Sequence, residues 1–269
     1  MKIKTICLSA LLLLSGTLYG QEAVSRETVD YDKIHHSTVI FTFGQSNSAN
    51  YGQLRHPHKA QHDVYNYYKG KLYKAQDPLL GATGKLGSVW GYVGDQLIDK
   101  KITESVTIIP IGVGGVTVGA WCKGGSCYER LVKTLDELVA ANIKIDCICW
   151  HQGESDNIFN TSTETYIQRF LTIREEFRKR GITAPFIVAV ASYHPHCLEE
   201  DNGCSEDIRK AQLTLAKKYE DIFQGPDTDK LNMLYQRADG IHFSEKGQPM
   251  HAELWVKAIK KVLKKKGNH

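Results

Sequence analysis

The chain has 269 residues, 42% of them hydrophobic and 24% charged, with a net charge of +4. That balance is ordinary for a globular protein and excludes a disordered or collagen-like chain. The length fits one large α/β domain, and so small a charge is not the footprint of a nucleic-acid binder.

The N-terminus reads as a secretory signal peptide over residues 1–21. Lys2 and Lys4 precede the apolar run ICLSALLLLSG, and the small residues Gly16 and Gly20 lead into a polar chain. A buried first helix is the competing reading. Thr17, not a cysteine, follows LSG, so no lipid attachment is expected, and no later stretch is long enough for a membrane span. The expected mature protein is a single domain, residues 22–269, secreted or periplasmic. Losing the two lysines lowers the net charge by two, to +2.

Four nearly continuous apolar runs read as strands covered on both faces: STVIFTFG (37–44), VTIIPIGV (106–113), IDCICWH (145–151) and PFIVAVAS (185–192). Helical periodicity fills the intervals. SCYERLVKTLDELVAAN places Leu131, Leu135, Leu138 and Val139 on one stripe, and STETYIQRFLTIREEFRKRG opens at Ser162 and closes in basic residues before Gly181. SEDIRKAQLTLAKKY and SEKGQPMHAELWVKAIKKVL add two more helices. The terminal KAIKKVLKKKGNH reads as a solvated helix end, where lysine suits the helix dipole. Strand and helix in alternation imply an α/β protein: a three-layer, flavodoxin-like sandwich around a central parallel sheet with right-handed crossovers. In such sheets ligands bind beyond the carboxyl ends of the strands. Three polar loops follow three of these strands: GQSN, GGVTVGAW and QGESD.

Without Cys7 the seven cysteines become six, an even number suited to an oxidising compartment. Cys122 and Cys127 flank KGGS, and Cys197 and Cys204 bracket LEEDNG, so each pair reads as a small disulfide-closed loop. Cys147 and Cys149 share one strand face and read as buried thiols. For the histidines of RHPHKAQH (His56, His58, His62) and of HPH (His194, His196), no carboxylate or Cys completes a metal site. They read as structural or exposed, and no metal or other cofactor is expected.

ADGIHFSEKG puts Asp239 three residues before His242. In a tight turn the carboxylate reaches Nδ1 of the imidazole, fixes its tautomer and leaves Nε2 as a base. Ser244 then reads as the N-cap of the last helix. Alone, DGIH is also what a surface turn looks like; beside Ser46 of GQSN it completes a serine-hydrolase set.

GQSN, GGVTVGAW, WHQGESD and DGIH in this order resemble the SGNH hydrolases, and more narrowly their sialate O-acetylesterase-like branch, which includes carbohydrate esterase family six. The resemblance runs from about Thr38 to Leu263. It implies Ser46 as nucleophile, His242 as general base and Asp239 as its orienting partner. It also implies an oxyanion hole made by the Ser46 N–H, Gly114 or Gly115, and the Gln152 amide. Gln45 stands where the broader family has the Asp of GDS, and Gln152 where it has Asn, both as in the sialate-esterase branch. Val116 offers no side-chain donor. Glu154 is a candidate either to buttress the site or to share the orienting role, and Asn47 and Asp156 read first as loop braces. Trp121, Trp150 and His151 are candidates for a sugar pocket, although tryptophan in an apolar run is usually core. The expected function is deacetylation of a carbohydrate (sialic acid, xylan or another glycan), with no nucleic-acid partner. Three alternatives are a lipid- or small-ester-directed esterase, a non-catalytic carbohydrate-binding protein, and phosphate binding by GVGGVTVG, which lacks the lysine of a P-loop.

Overall fold

β1 (Thr38–Gly44) runs through the middle of a seven-stranded sheet, and its sequence TVIFTFG shows why: six of its seven residues are buried. In the computed structural model, which describes residues 26–197 and 201–266, the strand order is β3-β2-β4-β1-β5-β6-β7. The expected leader over 1–21, with Cys7, lies outside the described residues. The other strands are β2 (Asp63–Tyr68), β3 (Lys71–Lys74), β4 (Ser105–Pro110), β5 (Cys147–His151), β6 (Phe186–Val190) and β7 (Ile222–Asp227). All neighbours are parallel except the β2–β3 hairpin. Phe41 sits level with Ile109 of β4 and Ile148 of β5.

Alternate side chains along each strand supply two cores. On one face Ile40, Val106, Ile108, Cys147 and Cys149 pack under α1 (Val89–Asp99) and α6 (Gly247–Lys266), with Trp90 and Trp255 between them. On the other, Phe41, Phe43, Trp150 and Phe186 meet α2 (Tyr128–Ala140), α4 (Thr163–Arg178) and α5 (Glu206–Lys218). Phe41 stands edge-on to Phe177 at 5.3 Å, and burying each such ring contributes roughly 1.5–3 kcal/mol relative to exposure. α3 (Glu154–Ile158) is a short helix directly after β5. No helix among the described residues is long and apolar enough to cross a membrane.

The four expected strands and four expected helices are present, with differences. Val139 leaves its stripe and is 48% exposed, while Leu131, Leu135 and Leu138 are buried. Ser244 caps α6 as expected: its hydroxyl accepts from the Gly247 N–H at 3.0 Å and its carbonyl from the Gln248 N–H at 2.8 Å. Three strands (β2, β3, β7) and α1 were not anticipated.

The cysteine loops are a correction. Cys122 and Cys127 are both free thiols with different surroundings. Cys122 lies 3.3 Å from the Thr172 hydroxyl, whereas Cys127 is buried beside Ser126. Cys204 is also a free thiol, so the expected bridge with Cys197 is not formed; burial, with the Asp229 carboxylate beside it, pushes the Cys204 thiol up to about 11. Cys147 and Cys149 are buried free thiols on one face, as expected.

Candidate active site

Gly44 ends β1 with φ at 132°, and a Cβ there would stand 2.0 Å from the carbonyl oxygen of His151. Only glycine fits so close a strand in that conformation. The chain then turns through a 3-10 helix over Ser46–Ser48. The turn is pinned from several sides. The Gln45 N–H donates to the His151 carbonyl at 2.9 Å, the Ser48 hydroxyl to the Phe43 carbonyl at 3.1 Å, and the Trp90 indole N–H to the Ser48 carbonyl at 2.9 Å. Ser46 is delivered to the carboxyl edge of the sheet at 5% exposure.

The loop after β5 is tied to the same turn. The Gln45 side-chain oxygen accepts from the N–H groups of Ser155 (3.0 Å) and Gly153 (3.3 Å) and from Nε2 of Gln152 (3.2 Å). Gly153 has φ at 153°, and a Cβ there would strike the Ala191 carbonyl at 1.8 Å. Asp156 is a brace, accepting from the Val118 N–H and the Thr161 hydroxyl, each at 2.7 Å, and from Gln152; burial raises its pKa.

His242 reaches this edge on the turn before α6. Nδ1 of its ring lies 2.6 Å from Oδ2 of Asp239, whose Oδ1 accepts the N–H groups of His242 (2.7 Å) and Ile241 (2.9 Å). Burial works against the Asp239 charge, but the bonds from the His242 backbone and ring outweigh it and hold the carboxyl below its ordinary range. With Nδ1 engaged, Nε2 is the nitrogen left for proton transfer. Three contacts join this turn to the Ser46 turn. Nδ2 of Asn47 donates to the Ile241 carbonyl at 3.4 Å, the Gln53 N–H donates to the Phe243 carbonyl at 2.9 Å, and the Tyr51 ring stacks on His242 at 5.3 Å and 22°. The immediate neighbours of Ser46 and of His242 are therefore bonded to each other.

Glu154 lies beneath both turns. It accepts from Nδ2 of Asn47 at 2.9 Å and stands 3.4 Å from Nε2 of His151, with both partners of this pair buried. Burial alone would raise its pKa, but the His151 ring and the Asn47 amide bring it down to about 2. In this arrangement Glu154 is bonded to His151 and Asn47, while Asp239 is the carboxylate bonded to His242.

The expected oxyanion donors are placed unequally. The Gly114 N–H already donates to the Thr83 hydroxyl at 2.8 Å, and the Tyr51 hydroxyl fills the space where a Gly114 Cβ would be, at 2.5 Å. Gly115, with φ at 70°, faces open space. Nε2 of Gln152 is engaged by Gln45, by the Val116 carbonyl at 3.2 Å and by Asp156, all acceptors, which also fixes which end of the amide is nitrogen. Its oxygen is buried without a partner among the described residues. Gln152 thus braces three loops in this state.

The family model described as "Carbohydrate esterase, sialic acid-specific acetylesterase" matches residues 36–261. The chain belongs to this family. It is 29% identical over 119 residues to a probable carbohydrate esterase of Arabidopsis thaliana, a match spanning 42% of each protein. In structure, the Arabidopsis thaliana protein aligns with a TM-score of 0.65 and 19% identity, covering 83% of this chain and 97% of that one. NanS aligns at 0.60 and 16%, covering 86% and 98%, and a carbohydrate acetylesterase from Xanthomonas citri at 0.57 and 15%, covering 85% and 57%. At those identities the structures speak for a shared fold, and the family model places the chain in a carbohydrate esterase family.

Several other expected residues lie away from the edge. Trp121 and Trp150 are fully buried, Trp150 donating to the Tyr166 hydroxyl at 3.0 Å, so both are core. His56 and His62 clamp their loop to Asp95 of α1, at 2.7 and 2.9 Å. His194 is buried and His196 exposed. Among the described residues no group of three or more His, Cys, Asp or Glu is placed to hold a metal ion. Three residues of the site were not foreseen. Tyr51 lies between His242 and Gly114, Thr83 holds the Gly114 amide, and buried Arg237 donates to the carbonyls of Leu231, Thr228 and Ile241. The only local signal for Arg237 is a cation two residues before Asp239 in an otherwise uncharged stretch.

Proposed function

We propose that this protein is a secreted serine esterase that removes O-acetyl groups from a carbohydrate through an acetyl-enzyme on Ser46. The observation that carries the reading is the pair of bonded turns: one, after β1, carries Ser46, and the other carries a histidine whose Nδ1 is held 2.6 Å from a carboxylate. His242 takes the Ser46 hydroxyl proton at Nε2 as the oxygen attacks the acetyl carbonyl. The Ser46 and Gly115 N–H groups take the developing oxyanion, a role that donors fixed at a sheet edge fill without reorganising. The departing sugar oxygen collects the proton from His242, which then activates water to release acetate and restore Ser46. Asp239 keeps the ring in the required tautomer, and Asn47, Glu154 and Gln152 hold the turns. Lys2 and Lys4 ahead of the apolar run support export, which the N-terminal sequence of the mature protein tests.

Acetate release from an acetylated glycan, together with labelling by a fluorophosphonate, tests the mechanism. Ser46→Ala is expected to abolish both while leaving the thermal unfolding curve in place. Full activity on a chromogenic acetate ester in that variant would overturn the reading. Strict preference for acetate in an acyl-chain series separates this function from a lipid-directed one.

A further inference from the structure

Of the ten large apolar side chains exposed among the described residues, six stand on segments around the His242 turn: Leu54, Leu86, Met233, Leu234, Tyr235 and Met250. Two buried glutamines tie these segments together. Gln248 accepts from the Leu54 N–H and donates to the Leu54 carbonyl, each at 3.1 Å. Its amide nitrogen also lies 2.7 Å from where a Cβ on Gly87 would be, next to Leu86. Gln236 accepts from the Met233 N–H at 3.0 Å, and its amide nitrogen reaches the Tyr235 hydroxyl at 3.3 Å and Sδ of Met250 at 3.8 Å. Ser244 joins the two, its N–H donating to the Gln236 carbonyl and its carbonyl accepting from the Gln248 N–H, both at 2.8 Å. The six side chains thus stand on neighbouring, mutually bonded segments, with Leu234 90% exposed among them. Apolar groups gathered in this way on a surface mark a docking site.

The same segments carry the exposed cations Arg55, Lys85 and Lys246 against one exposed acid, Glu245. Nη2 of Arg55 donates to the Lys85 carbonyl at 2.9 Å, which sets two of the cations on adjoining backbone. Among the described residues no ion pair neutralises any of the three. A second copy of this chain seated on the face would bring these cations against themselves, which opposes self-association. An anionic bilayer answers both halves of the surface: its headgroups take the cations, and the boundary beneath them takes the apolar tips.

We propose that this face docks on an anionic lipid bilayer, with Leu234 and its apolar neighbours entering the interface and Arg55, Lys85 and Lys246 on the headgroups. Docking in this way holds the His242 turn at the bilayer surface, and it goes beyond the Ser46 esterase reading without depending on it. The test is sedimentation of the protein with vesicles of mixed phosphatidylglycerol and phosphatidylcholine, against vesicles of phosphatidylcholine alone. The protein is expected to sediment with the mixed vesicles, to stay in solution with phosphatidylcholine, and to be released by high salt. Replacing two cations together, Lys85→Gln with Lys246→Gln, should lower partitioning about thirtyfold, and Leu234→Ser should lower it about tenfold. Hydrolysis of 4-nitrophenyl acetate in free solution should match wild type in these variants, which shows them folded. Lys217→Gln with Lys218→Gln removes the same charge from the exposed end of α5 and should change partitioning less than about twofold. No sedimentation with the mixed vesicles, or an equal loss from the α5 pair, would overturn the docking face. So would a dimer in solution that Leu234→Ser dissociates, because the face would then belong to a second copy. Failure of the Ser46 reading is read separately, in acetate release that persists in Ser46→Ala, and leaves sedimentation unchanged.

Discussion

Replacing Glu154 by Gln keeps the shape and an acceptor for Asn47 but removes the charge beside His151. The carboxyl's fall from 4.5 to about 2 corresponds to about 3 kcal/mol of preference for the charged form in the folded state. Because the folded value is depressed, this stabilisation is fully present above pH 4.5 and disappears as pH falls toward 2. Urea unfolding followed by tryptophan fluorescence reads it, since all four tryptophans are buried. At pH 7 Glu154→Gln should be about 3 kcal/mol less stable than wild type, and by pH 3 the gap should shrink to about 1 kcal/mol. The comparison isolates one carboxyl from others held low in the folded state, such as Asp221 and Asp227. A gap of the same size at both pH values, or none at pH 7, would refute the assignment of Glu154 as an ionised buttress.

Gly44→Ala must place a methyl group against the His151 carbonyl at a backbone angle that suits glycine. Strain and contact together should remove at least about 3 kcal/mol, a fall in Tm of roughly 6 °C or more for a domain of this size; a change under about 2 °C would contradict the geometry. Asp239→Ala removes the partner of His242 from a half-exposed position, so kcat should drop by about 10²–10⁴-fold while Tm stays close to wild type. A wild-type kcat would show that another group orients the ring.

The middle of the sheet was legible because strands covered on both faces are written as unbroken apolar runs. The strands missed have other signatures. DVYNYY and KLYK form an edge hairpin that mixes tyrosine with polar residues, and IFQGPD carries a glycine and a proline. α1 was hidden by Gly91 and Gly94, poor helix formers that serve packing instead. A Cβ on Gly91 would meet His58 at 2.7 Å, and one on Gly94 would meet Val64 at 2.6 Å. At the site, the Asp239–His242 pair is local and could be read from its spacing. Tyr51 and Thr83 act on partners far along the chain, His242 and Gly114, which no local pattern reveals. Gln152 was assigned by resemblance as a donor, yet its amide is spent on neighbouring loops. Cysteine spacing suggested a bridge between Cys122 and Cys127, whose side chains face different neighbours.

Asn47, Gln45 and Glu154 follow the central strands of the sheet, but His242 rides on a turn held to them by one backbone bond from Gln53, a few side-chain contacts and the Arg237 peg beneath it. The residues leading into it are open to solvent, Leu234 at 90% and Tyr235 at 53%. Segments of that kind open in local fluctuations of low free energy, whereas a central strand opens only with the whole sheet. The base is thus the part of the machinery that heat or denaturant releases first. Esterase activity should fade while the tryptophan core still reports a native protein, and the amides of residues 233–243 should exchange with solvent long before those of β1.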